Sequence, residues 1–301
     1  EFMFSGLLDQ IRSGSMKALA RCISLVENRV SGYEQFMQQL PPSTTPVIGI
    51  TGPPGAGKST LVDALINELV QQNKKVGVLC VDPSSPFNLG ALLGDRIRMS
   101  EWYNHPNVFI RSLATRGSLG GLHPNIIEIT DIMKSAHFDC IIVETVGVGQ
   151  SEVEIAGLAD VTTVVLVPEA GDEVQTMKAG LMEIADIFVV NKADRPGADI
   201  FIKNLKLMLA PAFQRQTEIP ILKTVASQKQ GIHELFTQMQ VTLNHSAKND
   251  KKYWLLAEKA FHLIQSKRMK NISKEALKQE IQIEEKNNTF NLYSFVQSKI
   301  S

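Results

Sequence analysis

The sequence predicts an α/β fold with a mostly parallel, doubly wound sheet and helices on both faces. Two observations support this prediction. Short runs of apolar residues recur between residue 47 and about residue 243, and each is apolar at successive positions, as is typical of strands buried on both faces. Amphipathic segments of helix length separate these runs, and strands that alternate with helices form parallel sheets.

The order of the elements divides the chain into three regions. Residues 1–45 are predicted to form a helical N-terminal extension, since apolar side chains recur at helical spacing from Leu7 to Val26 before the linker "PPSTTP". Residues 46–245 should hold the sheet. Its predicted strands lie in "VIGIT", "KVGVLCVD", "NVFIRSL", "CIIVET", "VTTVVLVP", "IFVVNKAD" and "IPILKTVA". Residues 246–301 have only amphipathic helical patterns, and this C-terminal arm could pack on its own core or dock on a partner subunit.

Composition excludes several classes of protein. The 31 basic and 31 acidic residues balance, so neither a nucleic-acid-binding nor a membrane-surface protein is expected. No apolar run reaches the length of about 18 residues that a membrane span needs, and the first residues lack the pattern of a secretory signal. We therefore expect a cytoplasmic protein. Its three cysteines, Cys22, Cys80 and Cys140, are widely spaced and predicted to be reduced, buried thiols.

A complete phosphate-loop pattern follows the first predicted strand. "GITGPPGAGKST" places Gly57, Lys58 and Ser59 after Gly52 at the required spacing, with a helical pattern directly behind. Backbone N–H groups of such a turn bind phosphate oxygens, Lys58 would neutralise the β and γ oxygens, and the Ser59 hydroxyl would ligate Mg²⁺. A glycine-rich turn without a ligand is the alternative. The predicted phosphate-binding residues are Gly52, Pro53, Pro54, Gly55, Ala56, Gly57, Lys58, Ser59 and Thr60.

The tetrapeptide "NKAD" at the end of a later strand predicts which base is bound. The Asp194 carboxylate can accept hydrogen bonds from guanine N1–H and the 2-amino group, whereas adenine has no 2-amino donor. Lys192 can lie over the base, and Asn191 can tie this turn to the phosphate loop. An ordinary strand-to-helix turn is the alternative. Ala226 and Ser227 stand where a backbone N–H would reach guanine O6, although Ser227 could instead cap a helix.

Acidic residues at strand ends complete the predicted site. Asp82 ends the second strand and could hold Mg²⁺ through water, or could only begin the turn that follows. Asp95 could reach the same region or pair with the arginine three residues later. Glu144 ends the strand "CIIVE" and could hold the metal's water shell or position the attacking water, while Gly147 lets a backbone N–H approach the γ-phosphate. The predicted metal ligands are Ser59, Asp82 and Glu144, and the predicted catalytic residues are Lys58, Asp95 and Glu144.

The position after Gly147 bears on the rate of hydrolysis. Val148 stands where many nucleotide switches have a glutamine that orients the attacking water, and Gln150 comes two residues later. We therefore expect slow intrinsic hydrolysis that a partner completes.

Several of these segments together resemble one family of G proteins. "GPPGAGKST", "VDPSSPFNLGALLGDRIRM", "FIRSLATRGSLGGL", "FDCIIVETVGVGQSE", "EAGDEVQTMKAG" and "VVNKADRPGAD" are similar to the MeaB/ArgK family over nearly the whole chain. The resemblance implies a phosphate-loop NTPase fold and a homodimeric GTPase. It also implies a chaperone that gates cofactor loading and protection of an adenosylcobalamin-dependent methylmalonyl-CoA mutase. Cobalamin is then expected only through the partner.

The resemblance also assigns residues and leaves alternatives. It implies that Asp82, Asp95 and Glu144 are the Mg²⁺-linked and catalytic acids, and that Asp172 and Lys178 belong to a switch that responds to the mutase. Taken alone, the last two would be ordinary surface charges. The glycines of "TRGSLGG" would be mobile near the nucleotide or the subunit interface, or would only make a tight connection. Members have also been described as LAO/AO transport system ATPases or kinases, which is the alternative function together with a nucleotide-controlled scaffold.

Overall fold

The computed structural model describes most of the chain as two compact units. The described residues are 3–82, 99–114, 122–145, 151–170, 180–209, 219–245, 250–269, 272–287 and 289–300. Residues 1–252 form the first unit, which holds the sheet, and residues 253–301 form the second, which is helical. The N-terminal helices belong to the first unit.

One sheet of seven strands organises the first unit, and every strand pairing in it is parallel. The strands are β1 Val47–Thr51, β2 Val76–Asp82, β3 Val108–Ala114, β4 Cys140–Glu144, β5 Val161–Leu166, β6 Ile187–Val190 and β7 Ile221–Lys223. All seven predicted strands are confirmed. β1, β4, β5 and β6 are buried throughout because helices cover both faces, which explains their unbroken apolar runs.

Helices connect the strands and form the ends of the described chain. They are α1 Leu7–Arg12, α2 Met16–Glu27, α3 Tyr33–Gln38, α4 Lys58–Gln71, α5 Ile126–Lys134, α6 Ser151–Leu158, α7 Gly180–Ile184, α8 Ala198–Leu209, α9 Ile232–His245, α10 Asp250–Arg268, α11 Lys274–Lys286 and α12 Leu292–Ile300. α4 and α9 pack on one face of the sheet, where Leu61, Leu65, Leu235 and Met239 are buried in the main apolar core.

The strand order determines where a ligand can bind. It runs β3-β2-β4-β1-β5-β6-β7, so β1 is central, with β4 on one side and β5 on the other. The β1–β4 register aligns Ile50 with Glu144, and the β1–β5 register aligns Thr51 with Val164. In a parallel sheet all carboxyl ends lie at the same edge, and ligands bind in the crevice outside that edge. Both β1 and β4 therefore deliver their C-terminal residues to one crevice.

A partly buried ionic cluster joins helix α2 to the sheet. Arg111 of β3 forms a salt bridge with Glu27 at the end of α2, and the Nε2 atom of His123 lies 3.8 Å from the same carboxylate. The Asn125 amide donates to the Val26 carbonyl oxygen at 2.9 Å. The Glu27 side chain is only 9% exposed, so its carboxylate depends on these partners for most of its stabilisation, and the contacts help to hold α2 on the sheet unit.

The second unit exposes much of its apolar surface. α11 begins at a regular cap, in which the Ser273 hydroxyl accepts from the Ala276 N–H at 3.0 Å. Phe295 is buried, yet Trp254 is 78% exposed and Tyr293 is 84% exposed. Both aromatic side chains are therefore accessible at the surface of this unit.

Within the described residues no helix combines the length and apolar composition required to span a bilayer.

The cysteines allow a direct test of burial. All three are buried and unbridged, as predicted, and burial raises the pKa of Cys22 and of Cys140 to about 12. Because the thiolate is the reactive form, we expect the folded protein to react very slowly with a thiol reagent at neutral pH. All three thiols should react at once in guanidinium chloride, which serves as the control. Rapid labelling of the folded chain would contradict this burial.

Thr163 offers a test of packing in the sheet. It lies in β5 with 0% exposure, and its hydroxyl has no hydrogen-bond partner among the described residues. A buried hydroxyl without a partner costs free energy, so Thr163→Val should raise the free energy of unfolding by about 1 kcal/mol. Urea unfolding of the variant and of the parent measures the difference. A destabilised variant would show that the hydroxyl is satisfied in solution.

Candidate nucleotide-binding site

The phosphate loop connects β1 to α4 through glycines that the backbone requires. Gly52 has φ of +138°, and a Cβ there would lie 2.1 Å from the Val165 carbonyl oxygen of β5. Gly57 caps α4 with φ of +86°, and a Cβ there would lie 2.5 Å from Asn191 Nδ2. Neither clash can be relieved cheaply, because these neighbours belong to the sheet and to a buried side chain. The turn between the two glycines contains Pro53, Pro54, Gly55 and Ala56.

Lys58 points back over this turn. Its side chain is buried in spite of its charge, and Nζ donates to the Gly52 carbonyl oxygen at 2.8 Å and to the Pro53 carbonyl oxygen at 3.1 Å. A lysine held over a loop of backbone amides at a helix N-terminus concentrates positive charge in the crevice. This electrostatic arrangement suits a chain of phosphates.

Ser59 and Glu144 meet across the crevice. Ser59 lies in the first turn of α4, and its hydroxyl donates to Oε1 of Glu144 at 2.6 Å. Glu144 ends β4 and is only 6% exposed. The Ser59 hydroxyl comes from the helix after the phosphate loop, and the Glu144 carboxylate comes from the neighbouring strand. Hydroxyl and carboxylate oxygens of this kind are typical ligands of Mg²⁺. Thr60 follows in the same helical turn and is half-buried.

Asn191 joins the predicted base-binding turn to the phosphate loop. It is buried at the end of β6, and its Nδ2 donates to the Ala56 carbonyl oxygen at 2.9 Å. Its Oδ1 accepts from the Thr224 hydroxyl at 3.0 Å and from the Ala226 N–H at 3.1 Å. One side chain therefore fixes three loops relative to each other: the phosphate loop, the turn after β6 and the turn after β7.

The remaining residues of the "NKAD" turn are more exposed than Asn191. Lys192 has a left-handed backbone with φ of +54°, and its Nζ donates to the Gly55 carbonyl oxygen at 2.8 Å. Its side-chain stem thus passes beside the phosphate loop. Asp194 is exposed, two residues beyond Lys192, so its carboxylate is accessible to a ligand.

The turn after β7 places Ala226 and Ser227 differently. Ala226 is buried, and its N–H is already directed at Asn191. Ser227 is exposed in the middle of a short 3-10 turn, Ala226–Gln228, whose N-cap is Val225. Ser227 therefore does not occupy the cap position that the sequence left open as an alternative, and it is the better candidate to approach a base.

A pair of buried hydroxyls at the site was not anticipated from the sequence. Thr51 ends β1 and Thr145 follows β4, and their Oγ1 atoms lie 2.8 Å apart. Thr224, which orients Asn191, was missed as well. The only signal for all three is a threonine at the end of an apolar run, which alone is typical of any strand.

Several predicted residues fall outside the part of the chain that the structure describes. They are Asp95, Gly147, Val148, Gln150, Asp172 and Lys178, together with the three glycines of "TRGSLGG", Gly117, Gly120 and Gly121. The backbone of Asp82 ends β2 at the same edge of the sheet as Glu144, and its side chain is not among those described.

Comparison with a family model decides the relationship. The model for the methylmalonyl-CoA mutase-associated GTPase MeaB matches residues 19–282, which include the phosphate loop, Glu144 and the "NKAD" turn. The chain belongs to the MeaB family. It is a GTPase with the phosphate-loop NTPase fold, as the resemblance in sequence implied.

Individual relatives agree with this assignment. A Pyrococcus horikoshii protein named as a GTPase is 50% identical over 240 residues, which are 78% of this chain and 76% of that protein. The fused isobutyryl-CoA mutase of Geobacillus kaustophilus is 36% identical over 262 residues, which are 80% of this chain but 24% of that much longer protein.

A solved structure supports the fold of this MeaB family member. The crystal structure of a LAO/AO transport system kinase has a TM-score of 0.67 with this chain at 24% identity, and the match covers 99% of this chain and 96% of that one. At this identity the likeness concerns the fold alone.

Asp194 provides a test of base recognition. Asp194→Asn should weaken GTP binding by roughly tenfold to a hundredfold, because it replaces a charged acceptor of two hydrogen bonds by a neutral amide. It should also admit xanthosine triphosphate, whose 2-oxo group matches an amide donor. Competition binding with both nucleotides measures the change. Asp199→Asn, at an exposed carboxylate of α8, is the matched control and should leave nucleotide selectivity unchanged. If the Asp194 variant kept its selectivity for GTP, another residue would recognise the base.

Proposed function

We propose that this GTPase is Mg²⁺-dependent and acts as a chaperone of an adenosylcobalamin-dependent acyl-CoA mutase of the methylmalonyl-CoA type. GTP hydrolysis would act as a signal that sets the sequence of cofactor loading and cofactor protection on the mutase. The observation that carries the proposal is the 2.6 Å contact between Ser59 and Glu144 beside Lys58, within a chain of the mutase-associated family.

The donor set fits magnesium. Ser59 Oγ and the Glu144 carboxylate are hard oxygen donors that lie within hydrogen-bond distance of each other, at the carboxyl edge where Asp82 ends its strand. We assign these three residues to Mg²⁺, with Asp82 acting through water. When bound, Mg²⁺ neutralises charge on the β- and γ-phosphate oxygens of GTP.

The residues of the chain contribute position and charge. Lys58 exchanges its carbonyl partners at Gly52 and Pro53 for phosphate oxygens and stabilises the charge that develops in the transition state. We assign to Glu144 the role of holding the metal's water shell or the attacking water, and to Asp95 the role of a further catalytic carboxylate. Gly147 contributes its backbone N–H to the γ-phosphate. No covalent intermediate is involved, because phosphoryl transfer to water needs only orientation and electrostatic stabilisation.

Guanine would bind between the turns after β6 and β7. Asp194 accepts from N1–H and the 2-amino group, the Lys192 stem covers one face of the base, and Ser227 donates its N–H to O6. Asn191 serves indirectly, since its hydrogen bonds to Ala56 and Ala226 keep these turns at a constant distance from the phosphate loop.

The partner is inferred from the family and from gene fusion. The family is described as mutase-associated, and a relative carries a homologous segment inside a fused isobutyryl-CoA mutase. A segment that is fused to an enzyme in one protein often binds that enzyme as a separate chain in another. We assign Asp172 and Lys178 to the switch that responds to the mutase, and we place cobalamin on the partner.

We further propose a homodimer, with residues 1–45 as N-terminal extension, 46–245 as G domain and 246–301 as dimerisation arm. The support for the dimer is the apolar surface of the second unit, where Trp254 and Tyr293 are largely exposed. Burying such aromatic side chains on a second copy stabilises the assembly.

The mutase proposal is tested by turnover with and without the partner. GTP turnover by the purified chain should be slow and should rise on addition of a stoichiometric cobalamin-dependent acyl-CoA mutase, with ATP a poor substrate. The double variant Asp172→Ala and Lys178→Ala should lose most of the stimulation. Lys203→Ala, at an exposed charge of α8, should keep it and is the matched control.

The opposite results select the alternatives. A preference for ATP, or no response to the mutase, would favour the transport-linked ATPase or kinase. A third outcome is that the dimer differs in shape between its GDP complex and its complex with a non-hydrolysable GTP analogue, while hydrolysis has no effect on the mutase. That result would favour a nucleotide-controlled scaffold.

A further inference from the structure

Two buried hydroxyl groups lie where the phosphate loop meets the strand that carries Glu144. Thr51 is 0% exposed and Thr145 is 1% exposed, and the 2.8 Å distance between their Oγ1 atoms is a short, regular hydrogen bond. Either oxygen can be the donor. The bond joins residues 94 positions apart in the chain, so it connects two loops and not two parts of one turn.

The bond extends the pairing of β1 with β4 beyond the end of the sheet. The register of the two strands ends with Ile50 opposite Glu144, and the Thr145 N–H then donates to the Ile50 carbonyl oxygen at 3.0 Å. The hydroxyl bond comes one residue later on β1, at Thr51. Among the described residues it therefore lies one step beyond the backbone pairing of the two strands.

Each threonine is adjacent to a residue of the site. Thr51 precedes Gly52, whose carbonyl oxygen accepts from Lys58 Nζ, and Thr145 follows Glu144, whose carboxylate accepts from Ser59. A displacement of one strand end relative to the other would thus change the distance between the metal-binding groups and the charge of Lys58. Backbone pairing limits this displacement along the strands, and a side-chain bond directed across them limits rotation at their ends.

We propose that Thr51 and Thr145 are a positioning pair for GTP hydrolysis, which fixes the phosphate loop against the Glu144 strand end. The proposal rests on the assignment of Ser59 and Glu144 to Mg²⁺ and the γ-phosphate. Neither threonine touches the nucleotide in this role; both act through Gly52, Lys58, Ser59 and Glu144.

Packing alone does not account for threonine at both positions. Valine has the same branched shape, and a core between two strands is normally filled by such apolar residues. Elsewhere in β5 the hydroxyl of Thr163 has no partner among the described residues, whereas these two hydroxyls satisfy each other. In a low-dielectric interior a satisfied hydrogen bond is directional and strong, so it holds a geometry that van der Waals contact leaves free.

On its other side the phosphate loop is held by β5. The 2.1 Å approach that a Cβ at Gly52 would make to the Val165 carbonyl oxygen shows that the backbones are in close contact there. The first residues of the loop are thus confined between a steric contact with β5 and a hydrogen bond to the residue after β4. Loss of the hydrogen bond would leave the loop free to shift only toward the Glu144 side, which is the side where catalysis takes place.

The decisive variant is the double change Thr51→Val and Thr145→Val. A single valine would leave the other hydroxyl buried without its partner and would destabilise the protein, whereas changing both to an apolar isostere is nearly neutral for stability. If the pair positions the site, kcat should fall by roughly tenfold, since small misplacements of catalytic groups have effects of this size or larger. GDP affinity and the melting temperature should stay close to those of the parent. Thr163→Val, a buried change in the same sheet, should leave kcat unchanged.

A second set of variants covers the case in which the double valine folds poorly. Thr51→Ser with Thr145→Ser keeps both oxygens, while Thr51→Ala with Thr145→Ala differs from it only by removing them. A lower kcat for the alanine pair than for the serine pair supports the positioning role. Equal kcat for these two pairs, or parental kcat in a stable double valine, overturns it.

Glu144→Gln separates this proposal from the one on which it depends. If Glu144→Gln abolishes turnover while the hydroxyl variants keep it, the positioning pair is wrong and the site assignment stands. If Glu144→Gln keeps parental turnover, the site assignment is wrong, and the positioning role is overturned with it.

Discussion

The parallel register of β1 with β4 is the constraint on which the site depends. It places Ile50 opposite Glu144, so the chain leaves β1 into the phosphate loop at the point where Glu144 ends its strand. Without this alignment, Ser59 and Glu144, which are 85 residues apart in sequence, could not share a 2.6 Å hydrogen bond. The alignment is maintained by packing, since a slip of one residue would exchange the side chains of the two buried faces, and at Gly49 of β1 even a Cβ would lie 2.7 Å from Ile155 Cγ1.

A second consequence of the sheet order is that one side chain connects the phosphate loop with the turns predicted to bind the base. β6 lies one strand beyond β5, yet the Asn191 side chain reaches the phosphate loop and also holds the turns after β6 and β7. Gly57 lacks a side chain at the position where a Cβ would contact this amide. One buried residue therefore holds the phosphate loop and the turns after β6 and β7 in a single hydrogen-bonded arrangement.

The two ends of the chain contrast in how they bury their apolar residues. α2 is attached to the sheet unit by apolar packing and by the salt bridge of Glu27 with Arg111, so it contributes to the stability of that unit. The unit of residues 253–301 leaves Trp254, Phe261 and Tyr293 mostly exposed. The apolar residues of this second unit are thus much less buried than those of α2.

The sequence by itself determined the strands, their parallel arrangement and the phosphate loop, because apolar runs and glycine spacing are local properties. From the sequence, Lys58, Ser59 and Glu144 could be predicted to share one crevice because the carboxyl ends of parallel strands lie at the same edge of a sheet. The sequence also predicted that Asn191 would tie its turn to the phosphate loop, and the structure shows that its amide does so through the Ala56 carbonyl oxygen. Only the tertiary structure showed that Glu144 meets Ser59 and that Thr51 meets Thr145. A threonine in or beside an apolar run has the same pattern whether its hydroxyl is paired, as in Thr51, or has no partner among the described residues, as in Thr163 of β5, since pairing depends on residues far away in the chain.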